Sequence, residues 1–496
     1  MAVPKIVGIE TEYGVALRGA PEPNPVVASS LLINGYVEQK RIGWDFEDES
    51  PGRDARGFAR DSAQPPEIET HLVNAVLTNG ARYYVDHAHP EYSTAECADP
   101  LEATLFDKAG ERILARSMEA ARRLLPAGQE IVVYKNNSDG KGNSYGCHEN
   151  YLVDRNVPFA ALVRNLIPWF VTRQVFTGAG KVGSENGADA CDYQISQRSD
   201  FFEEEVGLET TLKRPIVNTR DEPHADPQKY RRLHVIVGDA NLCEVATFLK
   251  IGTTAIVLAM IEDGFVDKDL SISTPVAAIR SVSHDPTLQA TVDCSSLGRC
   301  TSIELQWEFL RIARKYADES GLECCGPEAI GNQVLDRWEA VLGALESDPT
   351  SLDGQLDWVT KLELLRAYAD RDDLRWNDPK LELLSVQYHD VRPGRSLYEK
   401  LVRAGRIERL LDEQAVITAM SDPPESTRAY FRGTCLARWA DSVVAANWDS
   451  LVLDVGIDPL RRIPMMEPTR GSKEHVAELF DQVSTPRQLV ERLTAS

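Results

Sequence analysis

The sequence lacks a cationic surplus, a cysteine framework and a long uncharged apolar stretch. Its 496 residues carry a formal net charge of −23, which argues against a general nucleic-acid or anionic-membrane binder, because phosphate neutralisation needs a basic surface. The nine cysteines form no CxxC pair, so neither a zinc knuckle nor a disulfide framework is indicated. No apolar run approaches the roughly 18 residues of a membrane span, and no basic leader opens the chain. We expect a cytoplasmic protein without nucleic-acid or membrane partners.

What the chain does contain is apolar sequence for one large core and a smaller one. The first 250 residues alternate strand-like segments such as KIVGIETEYGV with helical ones, which is typical of an α+β or α/β domain. Between about 255 and 415, apolar residues recur at helical spacing, and we expect these helices to back the sheet. Two prolines in SDPPES, at 421–426, precede the last segment. We predict a large domain over 1–425 and a small C-terminal domain over 426–496.

One segment, from about 37 to 70, fits neither pattern. VEQKRIGWDFEDESPGRDARGFARDSAQPPEIET is charged, is punctuated by Pro and Gly, and is longer than most structureless connections in compact domains. Such segments are either functional loops or solvated insertions. On its residues alone, the two interpretations have about equal weight.

Two carboxylates share one face of the first predicted strand. In GIETEYG, Glu10 and Glu12 are two residues apart, so their side chains point to the same side. They repel each other unless a cation lies between them, and hard divalent ions such as Mg²⁺, which often accompany nucleotide phosphates, take oxygen ligands. The pair therefore indicates a Mg-nucleotide site, while an exposed charged strand face explains the motif equally well when it is taken alone.

The stretch RYYVDHAHPEYSTAEC adds a second polar strand face. At a period of two, Arg82, Tyr84 and Asp86 lie together, which a strand buried on both faces would rarely show. Glu91 follows after a tight HAHP connection, so the two strands together offer phosphate-binding, metal-binding and catalytic groups. The His-x-His of this stretch would also suit zinc, but carboxylate-rich surroundings without a third soft ligand favour Mg²⁺.

Three further signals are weaker. His148 and His234 each stand near the start of an apolar strand, where they would reach a metal or polarise a carbonyl, although a hydrogen-bonded structural histidine is commoner. GAGKVG at 178–183 lacks the strand and helix of a dinucleotide-binding loop, so we interpret it as a flexible loop. A basic segment in this acidic chain is either a groove for an acidic ligand or a solvated loop. Its members are Lys213, Arg214, Arg220, Lys229, Arg231 and Arg232.

With these pieces assembled, the chain resembles the bacterial family that contains the Pup ligase and the Pup deamidase/depupylase, an offshoot of the glutamine synthetase-type carboxylate-amine ligases. GIETEYG, NGARYYVDHAHPEYSTAEC, YGCHENYLV, NTRDEPHAD and YRRLHVIVGD carry the resemblance, which covers nearly the whole chain. It implies an α+β fold, in which a glutamine synthetase-like curved antiparallel β-sheet cradles Mg-ATP, is backed by helices and is followed by a small C-terminal domain.

The resemblance also implies roles for individual residues. Glu91 is assigned by aligning HPEY, because the ligase has one more residue after the catalytic aspartate. Four further residues, Glu12, His148, Arg220 and His234, are additional candidates for the site. By motif position, Asp86 would be the catalytic residue, Arg82, Thr94 and Trp448 would contact ATP, and Glu10, Tyr84 and Glu91 would bind Mg²⁺.

Within that family, the early insertion and the paired histidines of VDHAHPEY resemble the hydrolase branch, which carries a flexible loop near its active site at about 37–70. We therefore expect a hydrolase that deamidates the C-terminal glutamine of Pup and cleaves the isopeptide bond between Pup and a lysine. ATP, or ADP with phosphate, would be a bound cofactor that is not consumed. The partners would be Pup and pupylated proteins, linked indirectly to the bacterial proteasome. A Pup ligase, a non-catalytic Pup-binding scaffold and a small-molecule γ-glutamyl ligase are the alternatives.

Overall fold

The computed structural model describes residues 1–37, 42–47, 49–57 and 73–495. Much of the segment predicted to be a flexible loop therefore lies outside the described residues. Its described part includes a short strand, Gly43–Trp44, so at least this portion of the insertion belongs to the folded structure.

A ten-stranded sheet forms the centre of the protein. Neighbouring strands in it are antiparallel except for one parallel pair, β3 with β16. Across the sheet, the strands are β13 (Tyr230–Val235), β8 (Cys147–Asp154), β1 (Val7–Glu12), β6 (His89–Ser93), β5 (Arg82–Asp86), β4 (Asn74–Val76), β3 (Gly43–Trp44), β16 (Val443–Ala446), β17 (Ser450–Leu453) and β18 (Arg461–Pro464).

Smaller sheets flank the central one. The segment GAGKVG enters one of them, and its first glycines are buried, so its interpretation as a flexible loop was wrong. Gly180 has a φ of 68°, and a Cβ there would meet the hydroxyl of Tyr193, which explains the glycine. The strand pairs are β2 (Gly14–Arg18) with β7 (Glu130–Tyr134), β9 (Lys181–Val182) with β10 (Tyr193–Gln194), β11 (Phe202–Gly207) with β12 (Arg214–Asn218), and β14 (Thr291–Cys294) with β15 (Gly298–Thr301).

Helices pack against the apolar face of the sheet, as predicted. Among them, α1, α2 and α5 contact strands β1, β5, β6 and β8, and α13 contacts β16. The helices are α1 (Pro25–Tyr36), α2 (Pro100–Ala121), α3 (Phe159–Thr172), α4 (Gln174–Thr177), α5 (Glu244–Glu262), α6 (Pro275–Ser283), α7 (Ser302–Ser320), α8 (Glu328–Ser347), α9 (Asp357–Asp372), α10 (Pro379–Tyr388), α11 (Leu397–Arg403), α12 (Glu413–Thr418), α13 (Ala429–Trp439), α14 (Lys473–Gln482) and α15 (Pro486–Ala495).

Alternation along the strands separates the core from the polar face. In β1, Val7, Ile9 and Thr11 are buried, while Glu10 and Glu12 are half-buried on the other side. The same pattern in β5 buries two residues and leaves the three predicted polar side chains on the opposite face. The expectation that these strands have one polar face is confirmed.

Helix α5 corrects one expectation drawn from the sequence. The sequence pattern predicts no apolar run of membrane-spanning length, but this helix is long and apolar enough to cross a membrane by length and composition. The most apolar 18-residue window of the helix is entirely buried inside the protein. The helix therefore forms part of the core that supports β8, where apolar residues are needed on all sides.

The C-terminal segment continues the central sheet. Its three strands, β16 to β18, join the sheet through β3, which belongs to the early insertion. A separate hydrophobic cluster, which includes Phe431, Leu451 and Phe480, lies in this part of the protein, and Trp44 of β3 packs into it. The division at residue 425 stays a prediction, since the apolar side chains form a second cluster while the backbone forms one sheet.

Candidate active site

The polar face of the central sheet lines a cleft of about 730 Å³. Strand register brings its side chains together, because cross-strand partners share one face. Glu91 of β6 lies opposite both Glu12 of β1 and Tyr84 of β5, and Asp86 lies opposite His89. Four of the predicted site residues are therefore neighbours on three adjacent strands.

Glu12, Asp86 and Glu91 form a carboxylate cluster in this cleft. One oxygen of each side chain lies within 4.8 Å of the others. Burial, together with the charges of Asp86 and Glu12, raises the pKa of Glu91 well above its usual value, even though Tyr84 hydrogen-bonds it. Among the described residues, no cationic side chain forms an ion pair with Glu91. Crowded oxygen donors of this kind suit a hard divalent cation.

A second group, Glu10, His148 and His234, lies next to the carboxylate cluster. One ligand atom of each residue is within 4.8 Å of the others. Burial lowers the pKa of His234 well below its usual value, so its imidazole is neutral at pH 7. Burial opposes ionisation of Glu10, but the hydrogen bond from His148 and the charge of Arg232 hold its pKa well below the usual range. A carboxylate and a neutral imidazole are both competent metal donors.

Of the three side chains in the carboxylate cluster, Asp86 is the most exposed to solvent. Its side chain is 30% exposed, and the Nδ1 atom of His87 lies 2.8 Å from its Oδ2. Burial by itself would raise the pKa of Asp86. The hydrogen bond from His87 and the charge of that ring outweigh the effect of burial, so the net pKa is below the usual value. His87 adopts a φ of 51° in the tight turn between β5 and β6, which folds its ring back onto Asp86. An ionised, accessible carboxylate results.

A smaller cavity, of about 80 Å³, adjoins the cleft at Glu10, which lines both. Thr94 and Trp448, both predicted to contact ATP, line this cavity together with Arg232. The hydroxyl of Thr94 accepts a hydrogen bond from the backbone N–H of Ile9 at 3.1 Å. The structure thus places two of the three predicted nucleotide contacts at one cavity.

Arg82, the third predicted nucleotide contact, lies between two aromatic rings. Its guanidinium carbon is 4.0 Å from the centroid of Trp44 and 3.9 Å from that of Tyr84. Its Nε atom donates to Asn74 at 3.0 Å. Trp44 in turn meets Trp448 edge to face, with centroids 5.2 Å apart. Trp44 was missed by the sequence reasoning, although the unusual WDFEDE motif of the insertion contains it.

The described part of the early insertion runs along the site. The indole N–H of Trp44 donates to Glu49 at 2.6 Å, and Glu49 lies 3.8 Å from Arg82. Further on, the backbone N–H of Ser50 donates to Glu222, and that of Asp221 donates to the carbonyl of Arg53 at 2.8 Å. The insertion therefore contacts both the predicted nucleotide side and the basic segment.

The basic segment does not form one groove. Arg214 and Arg220 line the cleft, whereas Arg232 lines the smaller cavity. Its neighbour Arg231 points to the other face of β13 because strand residues alternate, and Lys213 is exposed outside the cleft. A further cleft residue, Arg198, was missed, since the surrounding QRSD sequence matches none of the motifs considered.

A buried ionic junction ties Trp448 to the sheet. Glu96 accepts hydrogen bonds from Arg428 at 2.6 Å and from Arg432 at 2.5 Å. Arg432 also donates to the backbone carbonyl of Trp448 at 3.0 Å. Burial opposes ionisation of Glu96, but the two guanidinium groups lower its pKa to about 2. Nothing in the sequence pattern pointed to this junction, because Glu96 is more than 300 residues from both arginines.

Comparison with known proteins agrees with the resemblance. Residues 5–452 match the family described as Pup-ligase protein. A depupylase of Acidothermus cellulolyticus is 55% identical over 99% of both chains, and a Pup deamidase/depupylase of Mycolicibacterium smegmatis is 48% identical over the same share. A Pup–protein ligase of Xylanimonas cellulosilytica is 39% identical over 97% of this chain and 99% of its own.

Two solved structures share the fold. One is the complex between the prokaryotic ubiquitin-like protein Pup and its ligase PafA, with a TM-score of 0.80 and 33% identity over 99% of this chain and 95% of that chain. The other is the Pup ligase PafA in complex with ADP, with a TM-score of 0.75 and 37% identity over 84% of this chain and 92% of that chain. The predicted α+β architecture is confirmed.

Proposed function

The chain belongs to the Pup-ligase family, and we propose that within this family it is a hydrolase that removes the side-chain amide of the C-terminal glutamine of Pup and cleaves the isopeptide bond between Pup and a lysine. Relatives at 48–55% identity are named as depupylases or Pup deamidases, whereas a ligase relative is at 39%. The observation that carries the chemistry is the ionised, accessible carboxylate of Asp86 within the carboxylate cluster. Both reactions open an amide at a side-chain carbonyl, so one site suffices for both.

The cofactor in this proposal is Mg-ATP, or ADP with phosphate. Arg82, Thr94 and Trp448 would contact the nucleotide, in keeping with the ADP complex of a related ligase. The donor chemistry fits Mg²⁺, because carboxylates are crowded on one face and no cationic side chain in the described structure forms an ion pair with Glu91. When bound, Mg²⁺ supplies electrostatic polarisation of an oxygen atom. Its ligands would be Glu10, Tyr84 and Glu91, with Glu12, His148 and His234 beside them.

Asp86 performs the key step on the scissile carbonyl. An ionised carboxylate can attack the carbonyl carbon directly or take a proton from a water molecule, and both routes use the same accessible oxygen. His87 holds Asp86 in place through its 2.8 Å contact. Arg220 lines the same cleft and can donate to the oxyanion that develops, a contribution often worth about 3–4 kcal/mol per donor.

The nucleotide need not be consumed in this reaction. Amide hydrolysis in water is downhill, whereas forming the isopeptide bond requires an activated carboxyl group. We place the reaction in the cytoplasm, in contact with Pup and pupylated proteins, because all nine cysteines are free thiols, as a reducing compartment would keep them.

Mass spectrometry of Pup with a C-terminal glutamine separates hydrolase from ligase. Incubation with the protein, ATP and Mg²⁺ should convert the terminal amide to a carboxylate without a matching release of ADP. A parallel incubation with glutamate-ended Pup and a lysine-bearing protein tests the alternative, because ligation needs a free side-chain carboxylate. ADP formed there in step with a lysine conjugate would establish a Pup ligase, which is the alternative that the ligase relatives favour.

The other two alternatives are tested with the same reagents. A non-catalytic scaffold would bind Pup but leave its terminal amide intact in the wild-type protein. A small-molecule γ-glutamyl ligase would act on free glutamate and an amine and would be indifferent to Pup. Either outcome would contradict the proposed function.

A further inference from the structure

Cys324 and Cys325 are adjacent thiols in the turn between α7 and α8. Their Sγ atoms lie 3.7 Å apart, close enough for a hydrogen bond between the two sulfurs. Cys325 is buried, whereas Cys324 is half-buried, so solvent reaches one member of the pair. In the described structure, neither thiol lines the cleft or the smaller cavity. The pair therefore lies outside the candidate active site, and the proposed reaction does not use it.

The two thiols differ in acidity. The hydrogen bond from Cys325, aided by the charge of Lys5 and by Tyr316, outweighs burial and lowers the pKa of Cys324 to about 7. The same contact, together with burial, raises the pKa of Cys325 well above its usual value. At neutral pH, about half of the Cys324 side chains are therefore thiolates, the form that attacks an oxidant, while Cys325 keeps its proton.

The charged groups around Cys324 are held in fixed positions. Lys5 precedes β1 and Glu262 ends α5, and the Nζ atom of Lys5 lies 2.7 Å from Oε2 of Glu262. Both side chains of this ion pair are almost completely buried, so neither moves away from the thiol. The charge of Glu262 opposes the thiolate and that of Lys5 favours it. By contrast, burial raises the pKa of Cys191, the other half-buried cysteine, to about 11.

We propose that Cys324 and Cys325 are a peroxide-reactive modification site that closes reversibly to a disulfide between adjacent residues. The thiolate sulfur of Cys324 attacks one oxygen of hydrogen peroxide, the O–O bond breaks, and a sulfenic acid and hydroxide form. The sulfur of Cys325 then attacks the sulfenic sulfur, the S–O bond breaks, and the proton of Cys325 leaves with that oxygen as water. The two sulfurs together lose two electrons, and the peroxide is reduced to one hydroxide and one water.

Adjacency makes this disulfide easy to reverse. Neighbouring Cα atoms across a trans peptide are about 3.8 Å apart, whereas those of an ordinary disulfide are about 4.4–6.8 Å apart. The ring is therefore strained and more readily reduced than an unstrained disulfide. A dithiol reductant returns both thiols, which is consistent with free cysteines in a reducing compartment.

The pair is also attached to the first strand of the candidate site. The backbone N–H of Lys5 donates to the carbonyl of Cys324 at 2.6 Å, two residues before β1 begins. Strand β1 carries Glu10 and Glu12. Drawing the two sulfurs together turns the peptide that bears this carbonyl, so the hydrogen bond weakens in the oxidised protein. Oxidation therefore acts on the start of β1.

Peptide mapping of the peroxide-treated wild-type protein is the first test. After treatment at pH 7, free thiols are alkylated and the protein is digested and analysed by mass spectrometry. The peptide with both cysteines should lose about 2 Da, carry no alkyl group and recover both thiols with dithiothreitol. Cys324 should react about 100-fold faster than Cys191, the internal control, because thiolate fraction outweighs the lower nucleophilicity of the more acidic thiol. Alkylation of both Cys324 and Cys325 after Cys191 has been oxidised would overturn the inference.

The second test separates the roles of the two sulfurs. Cys325→Ser keeps a hydroxyl donor beside Cys324 but cannot form the ring, so dimedone should trap a sulfenic acid on Cys324. Cys324→Ser should leave Cys325 unoxidised, and Cys191→Ser should close the ring as the wild type does. A sulfinic acid on Cys324 of the wild type, with Cys325 still alkylated, would overturn ring closure. Where a variant fails to fold, the wild-type peptide map decides.

Amide hydrogen exchange tests the link to β1. The peptide that contains Lys5 should exchange about fivefold faster in the oxidised protein than in the reduced protein, because one backbone hydrogen bond is weakened. Reduction with dithiothreitol should restore the original rate, and peroxide-treated Cys325→Ser should show no acceleration. Equal exchange in the oxidised and reduced wild type would overturn the link between the thiol pair and the strand.

Discussion

Glu91 and Glu96 lie five residues apart in one stretch of chain, yet their surroundings are opposite. Glu91 lies among other carboxylates, which, together with burial, raise its pKa well above the usual value. Glu96 accepts hydrogen bonds from Arg428 and Arg432, which lower its pKa to about 2 despite burial. Both side chains are mostly buried, so burial alone does not distinguish them.

What distinguishes them is whether the protein supplies the compensating charge. The negative charge of Glu96 is compensated by two arginines of the protein itself. One of them, Arg432, also joins the C-terminal segment to the sheet beneath Trp448. Glu91 has no such compensation within the described structure, which is what a residue reserved for an external cation requires. The comparison separates a structural carboxylate from a functional one by charge balance, and the following predictions test it.

The largest expected effect is on catalysis at Asp86. Asp86→Asn should lower turnover on glutamine-ended Pup by about 10²- to 10⁴-fold, because the ionised carboxylate that is proposed to act on the carbonyl or on water is lost. Calorimetry should show unchanged binding of Pup and ADP. Asp370→Asn, at an exposed carboxylate of α9, is the control. Retained turnover in Asp86→Asn would remove this carboxylate from the chemistry.

Glu96→Gln should destabilise the protein by about 3–5 kcal/mol, because Arg432 is left buried without its carboxylate. Urea unfolding monitored by tryptophan fluorescence measures the change. Glu91→Gln, made in the same way, should leave the metal-free protein as stable as the wild type or more so, since it relieves repulsion. Equal destabilisation by both substitutions would contradict the comparison.

Acid should weaken the Glu96 junction over a defined range. The pKa of Glu96 is lowered from 4.5 to about 2 on folding, so its contribution is fully present above pH 4.5 and is lost as the pH falls towards 2. The loss amounts to about 3 kcal/mol. Unfolding free energies measured from pH 5 to pH 3 should fall more steeply in the wild type than in Glu96→Gln. Parallel slopes would show that Glu96 does not titrate in this range.

Glu91→Gln should weaken Mg²⁺ binding by about tenfold or more, because one charged donor is removed from the carboxylate cluster. Titration of Mg²⁺ into the protein with saturating ADP measures this affinity. Chelation of Mg²⁺ should abolish turnover in the wild type. If Mg²⁺ binds Glu91→Gln and Glu96→Gln with the same loss of affinity, the cluster does not hold the metal.

The smallest effect is expected where the early insertion meets Arg82. Glu49 lies 3.8 Å from the guanidinium and competes with a phosphate for it. Glu49→Gln should therefore tighten ADP binding by about two- to fivefold, the range for a partly exposed ion pair. Unchanged or weaker affinity would mean that Glu49 supports the nucleotide site instead.

The polar strand faces were accessible to sequence reasoning because they depend on local geometry. Residues two apart on a strand share a face, so the grouping of Arg82, Tyr84 and Asp86, and of Glu10 with Glu12, follows from the printed sequence. The family resemblance then indicated that these strand faces belong to one sheet of a known fold. The comparisons confirm that resemblance. The roles of the individual residues stay predictions.

Other site features depend on contacts between distant segments. Trp44 reaches Trp448 only because β3 pairs with β16, and Glu96 meets Arg432 across 336 residues. The sequence leaves open whether the basic segment is a groove or a solvated loop for a related reason, since strand alternation and packing send Arg231 and Arg232 to opposite faces. No local pattern shows which partner a charged side chain will find.

The amino-acid sequence alone determined which side chains lie on the same face of each strand and that the chain contains an apolar core, because these properties follow from backbone periodicity and composition. Tertiary structure alone decided which carboxylates are neutralised by arginines and which arginines are left facing the cleft. The physical reason is that charge balance at a buried group depends on its spatial neighbours, and those neighbours come from segments hundreds of residues away.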